Sequence, residues 1–378
     1  LAGHYPDYRR QAQAIEAGIK AEETKRRTFP EIRAIYDLPG EAKTPLLRRG
    51  DYRNPGPEVQ PAALSVLTTA SPFRWSPPGK EAPTSSRRRA FAEWITQPDH
   101  PLTARVLVNR LWLHHFGEGL VSTPENFGHA GSPPSHPELL DWLATEFVAR
   151  GWSIKTMHRL IMTSSTYRQI STIDPKLHAA ARERDPDNRL LWRQRLGRLE
   201  AEVLRDSILS VTGALNPVMY GRPVTMVRHA DGEVTTPSDA SGKRRSIYLQ
   251  VRRSQPLTML QVFDQPVMET NCTRRATSTV SSQALTLLNS DFMVGAADAF
   301  AARALKENAS DPAGHCWRLA FARQPTEQEQ AKLQAFLKAQ TDRHAAAVAR
   351  GNPREAERRA LADLCHMLLS ANEFAYVD

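Results

Sequence analysis

Residues 101–117 read PLTARVLVNRLWLHHFG, and this stretch decides the fold class. Proline suits the first turn of a helix, where its missing N–H costs nothing, and glycine suits the residue just past the end. Between Pro101 and Gly117, the apolar residues Val106, Leu107, Leu111 and Phe116 recur at helical spacing. The same grammar repeats outward. Ser85 or Ser86 caps a helix carrying Phe91, Trp94 and Ile95. Ser135 caps another, with Pro137 near its start, an apolar stripe of Leu139, Leu140, Trp142, Leu143 and Phe147, and a stop at Gly151. Ser153 begins a further helix that turns Ile154, Met157, Leu160 and Ile161 inward.

Beyond this block the helical period returns over 182–215, with Leu199, Val203, Leu204 and Ile208, and ends at Gly213. It returns again over 256–378. There Thr326 and Glu329 form a capping box ahead of Leu333, Phe336 and Leu337, and the last long helix carries Leu361, Leu364, Leu368 and Leu369. Between these blocks, Val224–Val227 and Ser246–Val251 read as strands around a polar tip containing Asp231-Gly232, a β-hairpin within about 218–253. Residues 1–36 read as the end of a charged helix, with Ala12, Ile15 and Ile19 on one face. Residues 37–86 are dense in Pro and Gly and read as an extended strap. The expectation is a mainly α, globular multi-helix array over 87–378, with a small β-hairpin insertion and a Pro-rich N-terminal strap.

The chain has 378 residues, 40% of them hydrophobic, and begins at Leu1, which reads as a mature or excised segment. No apolar run approaches the roughly 18 residues that a membrane span needs. The net charge of +9 comes from 50 Lys and Arg against 41 Asp and Glu. Arginine dominates, which suits bidentate pairing with carboxylate, sulfate or phosphate; the plainer reading is guanidinium groups paired across the surface. The three cysteines, Cys272, Cys316 and Cys365, match neither a disulfide framework nor a zinc signature. One pair can bridge in an oxidising compartment, which leaves one thiol over. No CxxCH is present, so this segment attaches no c-type haem.

Four constellations bear on chemistry. Asn109 and Arg110 lead into His114-His115. Adjacent histidines on a helix face different ways, so a metal would need one of them with His129 or His136, a spacing that matches no ligand rule; a packed imidazole is the alternative. The loop from Thr123 to Glu138 gathers Glu125, Asn126, His129 and His136 among glycines. The following helix start, with Glu138 and Asp141, offers N–H groups to an anion, or simply has its dipole complemented. In the predicted hairpin, Arg222, Arg228, Lys243, Arg244, Arg245, Arg252 and Arg253 face Asp231, Glu233 and Asp239. Seven basic against three acidic groups suggests a grip on an anionic polymer or a solvated hairpin. With only Tyr220 and Tyr248 as aromatics, base stacking and hence nucleic-acid binding are poorly supported. Last, Cys272 lies beside Arg274 and Arg275 in a hydroxyl-rich run that also serves as a cap for the helix at Gln283. Signatures of serine hydrolases, P-loops and zincins (GxSxG, GxxxxGK[ST], HExxH) are absent.

Two long stretches resemble a known family. One runs Pro101–Arg110, His114–Val121, Phe127-Gly128, His136–Leu143, Gly151-Trp152-Ser153 and Tyr167-Arg168-Gln169. The other runs Arg244–Leu249, Phe263-Asp264, Arg274-Arg275, Gln283–Asn289 and Asn372-Glu373-Phe374, and Arg49-Gly50-Asp51 with Asn54-Pro55-Gly56 fits the lead-in. Together they resemble the planctomycete domain of unknown function found C-terminal to planctomycete cytochrome-c-like domains. The resemblance implies a large exported multidomain protein and a periplasmic, cell-envelope or extracellular location. It implies partners in the upstream domains of the same polypeptide, with haem confined to those domains, and by company a carbohydrate ligand. The functional expectation is a module that binds or scaffolds an anionic or polyhydroxylated ligand such as a polysaccharide. Its candidate contacts are Asn109, Arg110, His114, Asn126, His129, His136, Glu138 and Asp141, with Arg244, Arg245, Arg252, Arg274 and Arg275 for anions. The alternatives are a glycan-processing enzyme using Glu125, Glu138 or Asp141 with His114 or His136, and a nucleic-acid-binding module.

Overall fold

The computed structural model describes residues 6–25, 43–67, 72–77, 79, 84–266, 272–347 and 352–377. The mainly helical expectation holds: among the described residues there are 14 helices and 51% of positions are helical, and the sheets are small two-stranded pairs. The chain divides into two compact units, Leu1–Pro61 with Trp75–Arg88, and Ala62–Arg74 with Arg89–Asp378.

In the first unit, α1 (Pro6–Lys25) is the expected charged helix, and its Ile15 and Ile19 are exposed. The Pro/Gly-rich stretch is less extended than its composition suggests. β1 (Pro45–Leu47) pairs antiparallel with β2 (Pro55–Glu58) around a 3-10 turn at Arg48–Gly50. Gly56 is needed there because a Cβ would meet Leu46 O at 2.7 Å. Further along, Trp75 Nε1 donates to Ser85 O at 2.9 Å. Residues 37–42, 68–71, 78 and 80–83 of the predicted strap lie outside the described residues.

The second unit holds α2 (Arg87–Ile95) from Arg89 onward, then α3 (Thr103–Phe116), α4 (Pro137–Ala149), α5 (Ile154–Met162), α6 (Ala179–Arg184), β3 (Gly197–Arg198) and α7 (Ala201–Val211). After these come β4 (Val227–Arg228), β5 (Val234–Thr235), α8 (Thr258–Val262), α9 (Ser281–Asn289) and α10 (Asp291–Glu307). The chain closes with α11 (Pro312–Phe321), α12 (Glu327–Ala347), α13 (Pro353–Leu369), α14 (Asn372–Ala375) and β6 (Tyr376–Val377). Its apolar faces make two cores. The smaller joins α3, α4 and α5 through Val108, Phe116, Leu143, Phe147 and Met157. The larger joins α7 to α14 through Leu204, Ile208, Met293, Phe300, Leu364 and Leu368. Each such side chain, fully buried, contributes about 1.5–3 kcal/mol before the entropy of ordering it is charged. β6 closes the chain back on β3 in antiparallel register, Gly197 opposite Val377.

The helix ends reward the sequence reading unevenly. Gly117, Gly151 and Gly213 adopt left-handed φ of 74°, 68° and 73°, as helix stops require. Ser153 caps α5 by accepting Thr156 N–H, and Thr326 and Glu329 exchange the two hydrogen bonds of a capping box. Ser135 does not cap α4. Its N–H and hydroxyl both go to Leu120 O, and the helix begins after His136 with Pro137 in its first turn. The start of α3 is held by His100, whose Nδ1 faces the N–H groups of Leu102 and Thr103 at 3.3 and 3.2 Å. Trp142 and Ile154, both assigned to apolar stripes, are substantially exposed, as are Phe91 and Val203.

The predicted strands 224–227 and 246–251 do not form a hairpin with each other. The antiparallel pair is β4 with β5, inside the same insertion, and it closes tightly through His229 N to Glu233 O. Val224 instead bridges Leu249 in parallel, and Ser246–Tyr248 is a 3-10 turn. The competing force is polar: residues 242–246 are gripped by the buried Arg205 and by Asp206, both on α7. No helix among the described residues is long and apolar enough to cross a membrane.

Candidate functional site

The loop between α3 and α4 is built as a self-bonded connector. Asn109, fully buried on α3, donates from Nδ2 to Val121 O at 3.0 Å and accepts Val121 N–H on Oδ1 at 2.8 Å. One side chain thus satisfies both polar groups of a buried residue in the next segment. Thr123 Oγ1 donates to Asn126 O and accepts Ser132 N–H, while Asn126 Oδ1 accepts Gly128 N–H. Gly131 fits because a Cβ there would collide with Asn126 O. The charged candidates around the loop do not converge. Arg110, His114 and His129 are exposed, and His136 meets only its neighbour Ser135, Nδ1 to Oγ at 2.9 Å. Glu138 is exposed in the first turn of α4, Asp141 pairs with Arg105 at 2.6 Å, and Glu125 accepts a hydrogen bond from Thr273 at 3.2 Å. The N–H groups of Gly128, Gly131 and Ser132 are therefore satisfied within the loop itself.

His115, next to the exposed His114, has a partner that neither spacing nor periodicity indicated. Its Nε2 lies 2.8 Å from Nδ1 of His158 on α5, and Tyr167 approaches its ring edge-on at 5.3 Å. One ring donates and the other accepts, so at least one is neutral. Burial, with the nearby His158 and His114, pushes the His115 pKa below its ordinary value. Among the described residues no group of three or more His, Cys, Asp or Glu is placed to hold a metal ion.

A groove that can receive a ligand lies along α7. The helix turns Glu202 and Asp206, one turn apart, to the same side, and Glu200 precedes them at the helix cap. Opposite stand residues 245–251, with Met219, Met226, Pro256, Leu257, Leu260 and Arg275 completing a concavity of about 590 Å³. This size lies within the usual range for a small-molecule site.

Arg205 sets the shape. Its guanidinium is 1% exposed, and burial lowers its pKa from the ordinary value while Asp206 opposes that shift. It donates to Gly242 O at 2.6 Å, Arg244 O at 3.0 Å and Ser246 Oγ at 3.1 Å, pulling 242–246 down onto the helix. Asp206 completes the grip by accepting Ser246 N–H at 2.8 Å and the Ser246 hydroxyl at 2.7 Å. Gly242 is obligatory, since a Cβ would collide with Pro237 O.

The five arginines nominated for anion binding separate on this frame. Arg244 is buried; it donates to Val218 O, Tyr220 O and Arg222 O and lies 4.2 Å over the Tyr248 ring, so it fastens backbone and does not face solvent. Arg275 holds Glu202 with two hydrogen bonds, 2.6 and 3.2 Å, and lies 3.4 Å from Glu200. Glu202 draws the Arg275 pKa up, against the lowering effect of burial. Arg245 sits at the rim, 63% exposed and 3.7 Å from Asp206. Arg252 and Arg274 are exposed and do not line the groove. The charged lining is Glu200, Glu202 and Asp206 against Arg245 and Arg275, a net of one negative charge. The balance in this concavity is thus negative, whereas the basic and acidic groups counted across the insertion as a whole sum to a positive charge. Tyr248, Leu249, Leu257 and Leu260 supply the apolar part, and Ile247 projects from the rim. The sequence signal for the acidic wall was a pair of carboxylates four residues apart beside Arg205, which reads as an ordinary helix face until 245–251 is seen across from it.

A family model described as PSD1, a protein of unknown function (DUF1553), matches residues 87–337, about two thirds of the chain. The matched region contains α7, the insertion and Arg275. That family is typically found C-terminal to planctomycete cytochrome c domains. No curated protein and no solved structure matches the chain.

Proposed function

The chain belongs to the PSD1 (DUF1553) family, and from that premise we propose that it is a binding module whose α7 groove takes a neutral, polyhydroxylated ligand of the polysaccharide class. One observation carries the reading: a concavity of about 590 Å³ sets three carboxylates and two guanidinium groups around an apolar floor. Sugar hydroxyls donate to carboxylates and accept from guanidinium N–H groups, while the C–H faces of a sugar ring pack on apolar side chains. The negative balance disfavours a polyanion, because a sulfate or uronate brought against Glu200 and Asp206 meets like charge at short range. This narrows the sequence expectation from an anionic or polyhydroxylated ligand to the second alone.

The same reading assigns the fixed charges to binding. Both oxygens of Glu202 face Arg275, and Asp206 is bonded by Ser246, so these two groups are held as oriented acceptors. Glu200 and Arg245 are the more exposed members and are left to meet the ligand. An extracytoplasmic location, and cooperation with an upstream domain that carries any haem, belong to the proposal through the family's usual neighbours.

The test is calorimetric titration of the purified chain with a panel of neutral oligosaccharides, beside the variant Glu200→Ala/Arg245→Ala. Both side chains are solvent-accessible, so the fold is expected to tolerate the change. Loss of two charge-assisted hydrogen bonds predicts a weakening of at least about tenfold. Binding of equal strength in parent and variant, or no neutral glycan bound at all, refutes the groove as the site.

A further inference from the structure

Cys316 on α11 and Cys365 on α13 lie with their Sγ atoms 3.3 Å apart, both fully buried in the larger core. They are 49 residues apart in sequence. Two packed helices, held by Ala313 and Trp317 on one side and Leu361, Leu364 and Leu368 on the other, bring the sulfurs face to face. The third cysteine, Cys272, is exposed and its thiol faces Arg274 O at 3.3 Å. From this juxtaposition we infer that Cys316 and Cys365 are a disulfide-forming pair and Cys272 is the thiol left over. Closing the bond from the observed separation to about 2.05 Å needs only small side-chain rotations, within the reach of helices that already touch.

Burial dictates when the bond forms. In the folded chain the hydrogen bond with Cys316 and the apolar surroundings push the Cys365 thiol far above its ordinary pKa, so almost no thiolate exists to react. Oxidation therefore accompanies folding, while both thiols are still reachable. The oxidant is a disulfide: an oxidised protein dithiol carrier or a small-molecule disulfide such as glutathione disulfide. The Cys365 thiolate attacks one carrier sulfur, forming a mixed disulfide and releasing the carrier's other sulfur as thiolate. The Cys316 thiolate then attacks the Cys365 sulfur, closing the intramolecular bond and expelling the second carrier sulfur. The two cysteines give up two electrons and two protons, and the carrier disulfide is reduced to two thiols. Once closed, the bond is shielded from reductants by the same core that blocks the thiols.

The experiment refolds the full chain from denaturant in a glutathione redox buffer, then quenches, denatures and alkylates it without reduction before peptide mass analysis. The expected result is alkyl label on Cys272 alone and one cross-linked peptide joining Cys316 to Cys365. Refolding under reductant should label all three cysteines and lower the thermal midpoint by about 5 °C, the rough effect of releasing a loop of this length. The variant Cys272→Ala should keep the cross-link. Label on all three cysteines after oxidative refolding overturns the inference, and so does a bridge that includes Cys272. Because labelling is done on denatured chain, burial cannot hide an unreacted thiol.

Discussion

Replacing Arg205 with methionine keeps a long apolar stem but removes the fork that ties residues 242–246 to α7. Three acceptors lose their donor: Gly242 O, Arg244 O and Ser246 Oγ. A hydrogen bond to a charged group contributes about 1.5–3 kcal/mol, so simple addition would give roughly 5–9 kcal/mol. That sum is too large. The guanidinium is itself held in a site where burial disfavours its charge, and removing it recovers that cost. Asp206 is not abandoned either, because Ser246 still donates to it twice. What remains is mainly the desolvation of two buried carbonyls, for a net loss of about 3 kcal/mol. Urea unfolding, followed by circular dichroism, should show a midpoint lowered by about 1 M at an unchanged slope of roughly 3 kcal/mol/M. Arg205→Lys should recover little, since a single ammonium cannot reproduce a planar fork across three acceptors. The exposed Arg252→Met serves as the control and should be neutral. A midpoint drop for Arg205→Met below about 0.3 M would mean the insertion is held by other means, and the account of how the groove is shaped would fail.

Asn109→Ala strips both partners from Val121 and should lower stability by about 3 kcal/mol, seen as a reduced thermal midpoint; a loss below about 1 kcal/mol would refute its role as a clamp. Ala322 ends α11 at φ 54°, a left-handed position that glycine occupies at lower cost, so Ala322→Gly should stabilise by up to about 1 kcal/mol in the same assay, and a destabilised variant would contradict the assignment. The folded pKa of His115 lies below the ordinary 6.5, so the unfolded chain takes up the proton first. Its contribution is then complete above that value and is lost as pH falls through the folded pKa. Stability measured from pH 7 down to about 5 should fall more steeply in the parent than in His115→Gln, and parallel profiles would show that this imidazole does not titrate with folding.

What the sequence made legible was local. The stop at Gly117, the cap at Ser153 and the box of Thr326 with Glu329 depend on residues within one helical turn, and all were placed correctly. The illegible parts depend on distance. His115 finds His158 from 43 residues away on another helix, and no period links them. Val224 and Leu249 both look like strand residues, and they do meet, but in a parallel bridge, with 242–246 held on α7 by Arg205 and Asp206. Arg244 read as a surface cation, for a sequence cannot show that three carbonyls from 218–222 will surround it. The loop 123–138 carried the composition of a ligand cradle, but its glycines and its one asparagine, Asn126, are engaged with the connector's own backbone. The groove itself joins 200–206, 245–260 and Arg275, and its acidic wall appears only when they are assembled.

The central claim is that a net-negative, partly apolar groove selects neutral polyhydroxylated ligands although the whole chain is basic. The most direct measurement compares the affinity of the purified chain for one neutral glycan and its sulfated counterpart at low and moderate salt. The account predicts that the neutral glycan binds more tightly and with little salt dependence. Tighter binding of the sulfated form, falling steeply as salt rises, would contradict it and return the function to the basic surface.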